Sequence, residues 1–246
     1  MTDGDSSHWL ARYVRTNLRF LAFRNTPIAA ADRERFIKAA LVCTWIAGIG
    51  RYWDHPDAFW WQYAGLGSLV YVFLMSVLLG FVGQPLVPRA WNMPNVLLFV
   101  AMTSPLAWLY AIPVERFMPI EAAVQANAWF LAVVAAWRVA LLIRFFAKPS
   151  GLGWIVAPCV ALLPLAGIVT ALALFNLEHA TFEIMASGDT QTTSNDGAYA
   201  VVILLTYFSW IALPILIVAY VVAIVVRRRA IRRRRLAGVS ASERRS

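Results

Sequence analysis

Three histidines occur in the chain, His8, His55 and His179, and two of them stand among carboxylates. Asp54, His55 and Asp57 share one short polar stretch; Glu178, His179 and Glu183 share another. His179 and Glu183 are four residues apart, so a helix would place them on one face at a spacing that metal sites use. Joined by His55, Asp57 and Glu178, they could form a mixed nitrogen and oxygen metal site or an acid–base pair. Against this, an H-x-x-x-E without further ligands is a weak signal, and charges at the ends of apolar helices commonly just face water.

A second candidate is Arg138, which interrupts an apolar run. A guanidinium in hydrocarbon is costly and marks a functional residue by default. Attraction of an anion is one use. Two plainer ones compete: snorkelling toward Arg144, six residues and about 9 Å along a helix, or packing against backbone carbonyls. No Asp or Glu lies in any other apolar run to pair with it.

Proline is the third signal. Pro105, Pro158, Pro164 and Pro214 all fall inside apolar runs, where each removes a backbone donor and invites a kink that could line a cavity or merely shape a helix. Thr103 and Ser104 beside Pro105, with Gln125 and Asn127 further on, suit hydrogen bonding between helices or the border of a small polar vestibule. Gly48, Gly50, Gly65, Gly67 and Ser68 suit close helix packing.

These residues need positioning elements, and composition says where such elements sit. Apolar residues make up 61% of the 246, charged residues only 14%, against roughly a quarter charged in ordinary globular chains. Mean hydropathy is +0.64. The expectation is an all-α polytopic membrane protein, a six-transmembrane-helix bundle with an N-terminal amphipathic interfacial helix. Spans are expected over 36–53, 59–82, 93–112, 120–146, 152–176 and 198–226, each judged against the roughly 20 apolar residues that cross a bilayer core. The first is weakest, because Lys38 and Arg51 trim it. The chain thus divides into a cytoplasmic segment 1–35, a transmembrane domain 36–226 and a basic cytoplasmic tail 227–246, expected to be disordered.

Within 8–24, Trp9, Leu10, Tyr13, Val14, Leu18 and Leu21 recur at helical spacing, while Arg12, Arg15 and Arg19 take the other side. Such a helix suits a lipid surface or the protein's own cytoplasmic face. Charge orients the whole: short cytoplasmic loops collect Lys and Arg. Arg12 to Arg35, Arg89, Arg144 with Lys148, and the tail run Arg227 to Arg235 mark one side. Asp54, Asp57, Glu115, Glu178, Glu183, Asp189 and Asp196 mark the other. Both termini are therefore expected inside a bacterial inner membrane, a source to which the excess of Arg over Lys also points by association.

The net charge of +9 is explained by these helix ends, so anionic lipid and not nucleic acid is the expected ionic partner. Cys43 and Cys159 lie in apolar runs and read as small buried side chains rather than disulfide or metal ligands. No histidine lies in an expected span, which excludes bis-histidine haem in the bilayer; no phosphate-binding loop or G-x-S-x-G occurs. No cofactor or metal is expected. Three functions stay open: a non-enzymatic accessory, assembly or sensory component with a membrane protein partner or a second copy; a small-solute channel or transporter; and an enzyme with an external site.

Overall fold

The computed structural model describes residues 3–25, 27–50, 59–86, 92–148, 152–175 and 195–243. Every regular element among them is helical. In chain order these are α1 (Asp3–Leu21), α2 (Arg33–Gly50), α3 (Trp60–Tyr63), α4 (Leu66–Gly83), α5 (Met93–Met102), α6 (Ile120–Ala147), α7 (Val156–Leu174) and α8 (Asn195–Glu243), with 3₁₀ segments at Ala30–Asp32, Ser104–Ala111 and Val114–Arg116.

Local chemistry sets the boundaries. At the start of α5, Asn92 caps the helix by accepting from the Asn95 N–H at 3.2 Å, with Pro94 in the first turn where its missing donor costs nothing. Gly65 takes φ +68 and breaks the expected second span into α3 and α4. That turn packs against α2 so tightly that a Cβ on Gly48 would lie 2.6 Å from the Gly65 carbonyl oxygen. The small-residue expectation for Gly48 and Gly65 thus has a concrete geometry. Pro164 and Pro214 sit inside α7 and α8, as expected for membrane-type helices.

Four helical stretches are long and apolar enough to cross a membrane: Leu66–Gly83, Glu121–Ala147, Val156–Leu174 and Leu204–Ala230. These are the helices of a membrane protein. The other two expected spans fall short of that measure for identifiable reasons. In α2, Arg33, Glu34, Arg35 and Lys38 occupy the first two turns, and Glu34 pairs with Lys38 at 2.6 Å. That hydrogen bond and the ammonium charge hold the Glu34 carboxyl below its usual range. In the third expected span, the helix stops at Met102 and continues as 3₁₀. Because a 3₁₀ helix rises about 2.0 Å per residue against 1.5 Å, the ideal lengths of the two pieces sum to about 31 Å, the extent they would have if collinear.

The core lies where α2, α4, α5 and α6 meet, around Ala40, Val72, Leu79, Val96, Phe99, Met102, Leu141 and Phe146. α7 packs on α6 and touches α4, and α8 packs chiefly on α7. Phe99 of α5 stacks on Phe145 of α6 with ring centroids 4.1 Å apart, and Phe20 of α1 meets Phe99 edge-on at 5.7 Å. One expectation is corrected: the basic tail does not begin a disordered segment at 227, because α8 runs on as helix to Glu243. Its Arg and Ala content favours that continuation.

Candidate functional site

The most built polar site among the described residues surrounds the break after α5. In an unbroken α-helix, Ala101 O would accept from residue 105 and Met102 O from residue 106. Residue 105 is proline, which has no donor, and the Leu106 N–H turns instead to Thr103 O at 3.3 Å. Met102 O is left without its helical partner. Asn17 of α1, only 4% exposed, fills the vacancy by donating from Nδ2 at 3.1 Å. The break is stitched on its other side by α2. Thr44 Oγ1 donates to Ala40 O at 2.8 Å and lies 2.6 Å from Ser104 Oγ; since Thr44 has one proton, Ser104 supplies the second. Thr103 Oγ1 donates to Val100 O at 2.7 Å, and Trp108 Nε1 donates to Cys43 O at 3.3 Å.

Helix α1 is docked by several such contacts. Tyr13 is buried, meets Phe36 edge-on at 5.4 Å, and its hydroxyl donates toward Cys43 Sγ at 3.7 Å. Burial first, and the Cys43 thiol second, push the Tyr13 phenol above its ordinary range. At the other end the chain turns through a Schellman motif, with Arg24 N–H on Arg19 O and Phe23 N–H on Phe20 O. The residue in its left-handed position is Phe23 at φ 57, where glycine is usual. Its ring lies 5.6 Å from that of Trp137, whose Nε1 donates to Leu21 O at 2.9 Å. Arg144 continues the seam, donating to Asn25 Oδ1 at 2.8 Å.

Arg138 lies on α6 on the same face as the buried Val134, Leu141 and Leu142, so it is directed into the bundle. Its guanidinium carbon is 5.9 Å from the ring centroid of Tyr71 on α4, at the edge of cation–π range. Its Nε is buried without a hydrogen-bond partner. No carboxylate pairs with it among the described residues.

The external cluster is not placed: Asp54, His55, Asp57, Glu178, His179 and Glu183 lie outside the described residues. Thr103, Ser104 and Pro105 come together at the break as their adjacency requires. Asn17 and Thr44 are the residues that sequence reasoning missed. Asn17 carried a legible signal, since it is a polar residue, with Thr16, close to the Trp9–Tyr13–Phe20 side of α1. Comparison with family profiles, with curated proteins and with solved structures returned no significant match.

Proposed function

We propose that this chain is a six-span bacterial inner-membrane protein with both termini in the cytoplasm, and that it works as a non-enzymatic accessory, assembly or sensory component. The observation carrying this reading is α8. In the 18-residue apolar window within Leu204–Ala230 only 6% of residues are buried, against 28–33% in the corresponding windows of the other three membrane-length helices. It packs chiefly on α7, with Tyr220 reaching Val82 O at 2.7 Å, and leaves Phe208, Trp210, Ile211, Ile215, Val218 and Val222 uncovered. Such a helix suits a membrane-embedded partner, and its helical arginine run Arg227 to Arg235 suits an acidic surface at the cytoplasmic side. The interior supports the same reading, because Asn17, Thr44, Ser76, Thr103 and Ser104 spend their polar groups on the scaffold.

Native copurification in mild detergent at endogenous expression, followed by mass spectrometry, tests this. A stoichiometric membrane partner supports the reading. A solitary species moves the weight to a second reading, a small-solute channel or transporter, which Arg138 favours. An inward charge with an unpaired Nε is what an anion pathway would use. In liposomes, Arg138→Ala would then abolish anion flux while insertion is retained.

A further inference from the structure

Helix α1 has three distinct faces, and contacts fix the direction of two of them. Trp9, Tyr13 and Phe20 face the bundle. Arg12, Arg15 and Arg19 form one flank, and Arg12 pairs with Asp32 at 2.8 Å, immediately before α2 begins. That flank therefore points toward the end of the bundle where α2 starts. The opposite side points along the bundle: Asn17 reaches Met102, nine residues into α5 and so about 14 Å from its start. Next to Asn17 on this deeper flank stand Leu10 and Val14, with Leu18 further round and facing away from the bundle; the three are 54%, 51% and 61% exposed. Arg15 and Arg19 are exposed and make no ion pair among the described residues.

We infer that α1 lies in the inner-leaflet interface as an anionic-lipid site, with phospholipid headgroups on Arg15 and Arg19 and acyl chains against Leu10, Val14 and Leu18. This rests on the membrane reading above. An apolar flank turned toward the bilayer centre and a cationic flank turned toward its surface is the order that lipid itself has. Charge complementarity selects the occupant: in a zwitterionic headgroup the ammonium cation offsets the phosphate, whereas an anionic headgroup brings uncompensated negative charge to the two guanidinium groups. Lipid held there bears directly on the broken helix, since the same α1 places Asn17 on the Met102 carbonyl.

The full chain carrying Cys43→Ser and Cys159→Ala tests this, with an environment-sensitive fluorophore on Val14→Cys and, separately, on Leu74→Cys of α4, which is 64% exposed. Each is reconstituted in mixed phosphatidylcholine and phosphatidylglycerol vesicles in which one lipid or the other is brominated. At position 14, brominated phosphatidylglycerol should quench beyond its mole fraction, a preference of about fivefold per arginine. Arg15→Gln with Arg19→Gln should return it to about one, while position 74 shows no preference. Quenching at 74 with none at 14 overturns the α1 site and leaves the membrane reading standing. Quenching at neither position overturns both. Equal quenching by the two lipids, or a preference that survives the double substitution, overturns the headgroup assignment.

Discussion

The α5 break shows how much a single side chain can decide. Asn17 is one amide on α1, yet it satisfies the carbonyl that Pro105 and the 3₁₀ turn leave open. Asn17→Ala leaves Met102 O buried and unpaired, a cost of about 1–3 kcal/mol. Thermal unfolding in detergent should show it, and an unchanged midpoint would mean water replaces the amide. Phe23 gives a second residue-level test. Its left-handed backbone costs about 1 kcal/mol for any L side chain, so Phe23→Gly should be more stable than Phe23→Ala by about that amount, the reverse of the usual order within helices. Tyr13 gives a third. Its phenol is raised in the folded chain, so its contribution is fully present below the unfolded value near 10 and is lost as pH rises beyond it. Loss of stability above about pH 10 should be shallower in Tyr13→Phe, measured by the same unfolding.

At the scale of elements, the four long apolar helices were legible because 18 or more apolar residues in a row have few other homes. The shape of the third expected span was not. Pro105 announced a kink, but whether the chain bends, or tightens into 3₁₀ and gains length, depends on Asn17 and Thr44, which lie 85 and 60 residues away in sequence from their partners. The continuity of α8 into the arginine run was missed because charge density was weighed above helix propensity. The α2–α4 crossing makes its own prediction. With no room for a Cβ at Gly48, Gly48→Ala must displace the α3–α4 turn, at about 1–3 kcal/mol, read from the unfolding midpoint. A neutral effect would mean that turn moves freely.

For the whole molecule, the proposed orientation rests on hydropathy and on the distribution of arginine, the arginines of α1 included. The basic flank of α1 meets Asp32 just before α2, while Asn17 and Tyr13 reach contacts further along α5 and α2. Function is less legible than topology, because a residue such as Arg138 declares a cost without declaring its use. The six-span, both-ends-inside arrangement is the central claim, and single-cysteine alkylation in intact cells, with Cys43→Ser and Cys159→Ala as background, tests it most directly. Cysteines at Ser7, Asp57, Arg89, Gly151 and Thr192 should label from the inside, outside, inside, inside and outside respectively. Labelling of position 7 from outside would show that α2 does not cross, and any other break in that order would contradict the six spans.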